Sequence, residues 1–195
     1  MSYRSLVQAL LSLSLAFCGL AALSPASASV VEALDLRGMV QEADRVLLGQ
    51  VVSQASRYDE RGRIVTDVQM QVEESLLGDE APGSMVVVRH LGGVVDGIGM
   101  RVHGEPSFEM GEGVLLFGRR IPNRLLLRPV GMSQGAVRIF ERAGVRWARS
   151  GAAQLTTVRR GVGGVLTKTA APVSTPRELD GLLREVRNLI REKAR

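Results

Sequence analysis

The clearest pattern in this sequence is an alternation of apolar and polar positions between residues 64 and 73. Ile64, Thr66, Val68, Met70 and Val72 occupy every second position, and most residues between them are polar. A period of two predicts a β-strand with one buried and one solvated face.

The preceding segment, residues 45–54, is apolar at most positions. A strand without a polar face belongs at the centre of a sheet, where both of its faces are covered. Residues 59–63 lie between the two strands, and their polar side chains and Gly62 are typical of a turn. We therefore expect segments 45–54 and 64–73 to form a long hairpin.

Shorter apolar runs, separated by glycine and proline turns, predict further strands. These runs are residues 85–91, 113–118, 125–128, 136–141 and 145–149. The last two are joined by Arg142-Ala143-Gly144, a hairpin-type turn. Many short strands of this kind predict a mainly β protein built on a small β-barrel, which we place at about residues 42–150.

Two helices complete the prediction. Residues 31–44 show an approximate helical face, which Gly38 weakens. Residues 175–195 form an amphipathic helix, for which Thr175 is the expected N-cap, Pro176 the first helical residue and Glu178 the partner in a capping box. We expect this helix to pack on the barrel; a basic helix lying on a membrane surface is the alternative.

Two segments lack a regular pattern. Residues 92–107 are rich in glycine, and irregular loops of this length are often functional. Residues 151–174 are interpreted as a mostly irregular linker between the barrel and the last helix.

The first 28 residues have the composition of a secretory signal peptide. Arg4 is their only charged side chain, a mostly apolar run covers residues 6–23, and Ala26-Ser27-Ala28 ends the segment. We expect cleavage after Ala28, which makes residues 29–195 a single exported domain, periplasmic or extracellular. A membrane anchor and lipidation at Cys18 are the alternatives; the run is short and contains polar residues, and Phe17 occupies a position where lipidation requires a small residue.

Composition removes several classes of function. Cys18 is the only cysteine, so the cleaved chain would have no disulfide and no thiol nucleophile. The chain carries a net charge of +5, but its arginines are scattered and its aromatic residues are few. We therefore expect a solvated basic surface and no nucleic-acid interface, which would need a basic stripe with aromatic platforms.

Four segments occur in an order that resembles netrin-like domains and the tissue inhibitors of metalloproteinases. They are EADRVLLGQVV at 42–52, TDVQMQVEESLLGD at 66–79, MVVVRHLGG at 85–93 and FEMGEGVLLFGR at 108–119. The resemblance covers about residues 42–141 and implies an OB-type barrel. Uncharacterised secreted bacterial proteins share the same order of segments and are the closer likeness.

The resemblance does not bring the inhibitory mechanism with it. Those inhibitors hold the protease zinc with an N-terminal cysteine and depend on disulfides, whereas the predicted first residue here is Ser29. Only the fold expectation carries over, and OB-type barrels have many unrelated functions.

The candidate contact residues are Arg101, His103 and Glu105, chosen because they lie in the glycine-rich loop. His90, the second histidine, is expected in the barrel wall. No spacing typical of a zinc site, a serine nucleophile or a dinucleotide fingerprint is present, so we expect no catalytic residue, cofactor or metal.

The sequence therefore favours an exported, non-catalytic binding module whose partner is an unknown protein or cell-envelope component. Two alternatives remain. One is a metal-assisted hydrolase that uses His90 and His103, and the other is a peptidase inhibitor that acts through a loop.

Overall fold

The computed structural model describes residues 30–122, 125–151, 155–160, 166–169 and 175–195. The predicted leader, with Cys18 and Ser29, lies outside these residues. Thirteen strands, two α-helices and one 3-10 helix are described. In chain order they are β1 (Val30–Glu32), α1 (Leu36–Glu42), β2 (Arg45–Tyr58), β3 (Ile64–Leu77), β4 (Met85–Leu91), β5 (Gly93–Val95), β6 (Ile98–Met100), β7 (Gly113–Arg120), β8 (Leu127–Pro129), the 3-10 helix (Met132–Gly135), β9 (Ala136–Arg142), β10 (Val145–Ser150), β11 (Thr156–Arg160), β12 (Leu166–Thr169), β13 (Arg177–Glu178) and α2 (Leu179–Lys193).

The protein is mainly β and contains a closed five-stranded barrel, which confirms the predicted fold class. The barrel strands follow the order β7-β2-β3-β4-β8, and pairing of β8 with β7 closes the ring. All neighbours are antiparallel except β4 and β8, which are parallel. This is the Greek-key arrangement of an OB-type barrel. Strand β9 pairs with the edge of β7 opposite β2, next to β8, and strands β10 and β13 extend the sheet beyond β9.

The sequences of strands β2 and β7 lack a polar face because both faces of each strand are buried. On one side, Val46, Leu48, Leu115 and Phe117 pack in a core shared with both helices. On the opposite side, alternate residues fill the barrel interior: Leu47, Val51, Val114 and Leu116. The central position predicted for segment 45–54 is confirmed, because β2 lies between β3 and β7.

The two helices pack against each other and against the sheet. Helix α2 buries Leu179, Leu182, Leu183 and Val186, which confirms its amphipathic character. Near its C-terminus, the Lys193 ammonium donates to the carbonyls of Val40 at 3.0 Å and Ala43 at 2.8 Å. These bonds satisfy carbonyls at the C-terminal end of α1, where a cation is favourable.

The start of α2 differs from the prediction. The helix begins at Leu179 rather than at residue 175, and its N-cap is Glu178, which makes no side-chain capping bond. The expected capping box headed by Thr175 is therefore wrong. The physical reason is that Arg177 and Glu178 extend and pair with β10 opposite Ala148 and Trp147, which prevents a helical turn there.

Two further expectations are corrected. The predicted helix over 31–44 is shorter, since β1 precedes a seven-residue α1. The predicted irregular linker contains β11 and β12, which join β1 in a three-stranded sheet. Strand β11 pairs in parallel with β1 and antiparallel with β12. No local sequence pattern predicts these backbone hydrogen bonds.

A buried glutamine joins the segment between β1 and α1 to the 3-10 helix. Gln134 is fully buried in the 3-10 helix. Its carbonyl oxygen accepts from the backbone nitrogen of Leu34 at 3.0 Å, and its amide donates to the carbonyls of Glu32 and Gly131, both at 3.1 Å. The side-chain amide thus bonds to three backbone groups, as a buried polar group requires.

Gly49 is needed where β2 shifts its register against β3. A Cβ at this position would overlap the carbonyl oxygen of Gln71, and it would lie 3.2 Å from Cγ of Met70. Because a neighbouring strand occupies the space, the overlap cannot be relieved by a side-chain rotation.

We expect Gly49→Ala to lower the free energy of unfolding by about 1–3 kcal/mol, the usual cost of forcing extra volume into a packed core. Gly99→Ala is the matched control, since a Cβ there would meet only Cγ2 of Val94 at 3.9 Å. Urea unfolding of both variants measures the difference. Equal stability of the two variants would contradict this account of Gly49.

Candidate functional site

The glycine-rich loop begins with a tight turn that is fixed by the barrel. Gly93 has a φ of 131°, and a Cβ there would overlap the hydroxyls of Ser56 and Thr66. The Thr66 hydroxyl is buried and donates to the carbonyl of Gly92 at 2.6 Å, while the Ser56 hydroxyl lies 2.9 Å from it. The inner faces of β2 and β3 therefore fix the direction in which the loop leaves β4.

The first part of the loop is a hairpin that the sequence did not predict. Strands β5 and β6 pair between Gly93 and Met100, and Asp96 and Gly97 form the turn with φ values of 51° and 77°. Val94 and Ile98 are 65% and 60% exposed on this hairpin. The segment predicted as an irregular loop is thus partly ordered by its own backbone pairing.

The second end of the loop is tied to strand β9. The Arg138 guanidinium donates through Nη2 to the carbonyl of Ser107 at 2.8 Å and to its hydroxyl at 3.0 Å. Its Nε lies 3.0 Å from Oε1 of Glu112. The other carboxylate oxygen of Glu112 accepts from the backbone nitrogen of Glu109 at 3.0 Å. Arg138 and Glu112 therefore position the loop, although the sequence reasoning did not single them out.

The loop covers one side of a cleft of about 960 Å³, which we call the loop cleft. The opposite side is formed by β9, β10 and the small sheet of β11 and β12. Arg101, His103 and Glu105 all line this cleft, so the structure brings the three predicted contact residues to one surface. Arg101 and His103 are exposed, whereas Glu105 is partly buried. The volume is in the range of pockets that hold small ligands or peptide side chains.

Burial shifts the pKa of two groups that line the cleft. It raises the pKa of Glu105, against the opposing effects of a hydrogen bond from the Leu91 backbone and the charge of Arg128. Burial also lowers the pKa of His90, whose Nδ1 donates to the Leu91 carbonyl at 3.0 Å. The His90 ring lies 5.8 Å from the ring of Phe108. His90 therefore sits in strand β4 with its ring against the protein, and its neutral form is favoured.

The described residues offer no set of metal ligands. His90 and His103 both line the loop cleft, but no group of three or more His, Cys, Asp or Glu side chains within the described part of the chain could hold an ion. A catalytic zinc site uses three protein ligands and one open position. The geometry described thus gives no support to a metal-assisted hydrolase.

Comparison with known proteins gives no family. No protein-family model matches the chain, and no curated protein matches it. Within the described ranges, neither helix is long and apolar enough to cross a membrane.

The raised pKa of Glu105 predicts a pH-dependent contribution to stability. The folded state holds this proton more tightly than the unfolded state, so stability falls as pH rises above about 4.3, the ordinary glutamate value. We expect Glu105→Gln to make this decline shallower, because an amide keeps the neutral group without titrating. Urea unfolding between pH 4 and pH 8 measures the slope.

Glu109→Gln is the matched control, since Glu109 is exposed and lies just after the loop. Its stability profile should follow that of the original protein. A Glu105→Gln profile that is parallel to the original would show that burial of Glu105 does not affect folding.

Proposed function

We propose that the protein is an exported, non-catalytic binding module that recognises a cell-envelope partner through the loop cleft. The observation that carries this proposal is that Arg101, His103 and Glu105 line one concave surface whose loop is fixed at both ends. Thr66 holds the loop at its start and Arg138 holds it near its end. A loop fixed in this way loses little freedom on binding, which favours recognition.

The chemistry of the cleft suits a polar partner with an apolar group. Its lining includes the basic side chains of Arg101 and Arg138 and the acidic side chains of Glu105 and Glu112. Phe108 and Val114 supply apolar surface at the base. Export rests on the leader sequence, and the netrin-like resemblance supports the proposal only through the shared barrel type. OB-type barrels bind their ligands with the strands and loops of the barrel wall.

The test compares two triple variants of the mature protein as bait. Arg101→Gln, His103→Gln and Glu105→Gln replace the three candidate contact residues of the loop cleft, while Glu141→Gln, Arg142→Gln and Arg184→Gln replace exposed charged residues outside it. We expect the first set to weaken capture of the same cell-envelope component at least about tenfold, the effect of 1.4 kcal/mol of lost contact. Quantitative mass spectrometry after capture measures this, with melting curves as a folding check.

The second set should capture the component as the original protein does. If both sets capture it equally while remaining folded, the loop cleft is not the recognition surface.

Peptidase inhibition through a loop is the second candidate. The β5–β6 hairpin favours it, because Val94 and Ile98 are exposed beside its turn and could enter an apolar protease subsite. Such an inhibitor should slow at least one extracellular protease, and Val94→Ser with Ile98→Ser should abolish the effect. The candidate fails if the original protein slows none of a panel of serine, cysteine and metallo-proteases.

A further inference from the structure

A second cleft, of about 680 Å³, opens on another part of the barrel. The turn between β2 and β3, strand β4 and the ends of β7 and β8 form its walls. We call it the arginine cleft, because six guanidinium groups of the described residues line it. They belong to Arg57, Arg61, Arg63, Arg89, Arg119 and Arg128. The sequence showed only scattered arginines, and barrel closure gathers these six from four strands and one turn.

Four of the six are held by carboxylates. Arg89 binds both oxygens of Asp67, with Nε at 2.6 Å and Nη2 at 2.7 Å, and Arg57 shares the same carboxylate at 3.2 Å. Arg63 pairs with Asp59 at 2.7 Å, within the turn. These contacts give the wall a fixed arrangement, and one carboxylate serves two cations.

Arg119 completes the paired set through Glu42. Its Nη2 lies 2.6 Å from the Glu42 carboxylate, and its Nε donates to the Glu42 carbonyl at 3.3 Å. The paired arginines thus come from β2, the turn before β3, β4 and β7.

Arg61 and Arg128 differ from the other four. Within the described part of the chain, neither guanidinium has a carboxylate within 4.0 Å. The Arg128 charge acts on Glu105, which is partly buried in the wall between the two clefts. The carboxyl groups of Glu60 and Glu105 also line the cleft. An excess of positive charge remains, because six guanidiniums stand against five carboxyl groups, those of Glu42, Asp59, Glu60, Asp67 and Glu105.

Part of the remaining wall is apolar, beside the ring of His90. Val65 and Pro129 are buried at the base, and Leu91 and Ile121 are partly buried beside them. A ligand that fits must therefore combine a compact negative group with an apolar or weakly polar body.

We propose that the arginine cleft binds a phosphate ester, with its dianionic group facing Arg61 and Arg128 and its organic part on Val65 and Leu91. A phosphate dianion matches two unpaired guanidiniums in charge, whereas a carboxylate matches one. One guanidinium group can also donate two parallel hydrogen bonds to two oxygens of a phosphate, which adds direction to the charge attraction.

The first test measures binding of phenyl phosphate by calorimetry, with benzoate as the monoanionic comparison. Phenyl phosphate should bind more tightly than benzoate, and Arg61→Gln with Arg128→Gln should weaken its binding at least about tenfold. The control pair is Arg142→Gln with Arg184→Gln, which removes the same charge outside the cleft. Melting curves verify that both pairs are folded.

Three results would overturn the proposal. They are equal weakening in both pairs, equal affinity for benzoate and phenyl phosphate, or no binding of phenyl phosphate at 10 mM, a concentration well above useful affinities. A lysine at position 128 gives an independent check: Arg128→Lys keeps the charge but loses the paired geometry, so it should bind less tightly than arginine and more tightly than glutamine.

Two sources of the phosphate group are distinguished by a second measurement. Vesicles containing phosphatidic acid are sedimented with the original protein, with Arg61→Gln and Arg128→Gln (the cleft pair) and with the control pair. Sedimentation that the cleft pair loses and the control pair keeps identifies a lipid headgroup. Phenyl phosphate binding without sedimentation identifies a soluble ester. Sedimentation that both pairs share, without phenyl phosphate binding, assigns membrane attraction to general basicity and contradicts the proposal.

Discussion

The structure depends on two strands, β2 and β7, that bury both of their faces. Their side chains belong alternately to the core beneath the helices and to the core inside the barrel. Each buried leucine or valine contributes about 1.5–3 kcal/mol relative to exposure, so these strands carry much of the stabilisation of both cores. Both clefts lie on elements that are attached to this pair, which is why the loops around them can be irregular without loss of the fold.

Elements whose stabilising contacts are local or periodic were predictable. The alternation from Ile64 gave the start of β3, and the apolar run from Arg45 gave the central strand β2. Elements formed by distant pairing were not. Strand β11 pairs with β1 across the length of the chain, and Arg177 and Glu178 extend toward β10 despite a local capping signal. Tertiary pairing outweighed helix propensity there.

The site residues divide in the same way. Arg101, His103 and Glu105 were found because glycines marked their loop, although the signal said nothing about what they contact. Arg138 and the arginine cleft were missed, because most of their residues and partners are distant from one another in the sequence. One pair could have been inferred: Asp67 and Arg89 lie opposite each other in the β3–β4 hairpin, where opposite charges attract across strands. Closure of the ring, which gathers the others, has no sequence signal.

The contact between Lys193 and the end of α1 has a kinetic consequence. It joins residues separated by 153 positions at Val40 and 150 at Ala43. Closing so long a loop costs chain entropy before any contact repays it, and topologies dominated by distant pairs fold slowly. The packing of the first helix is therefore completed only when the last turn of α2 has been synthesised.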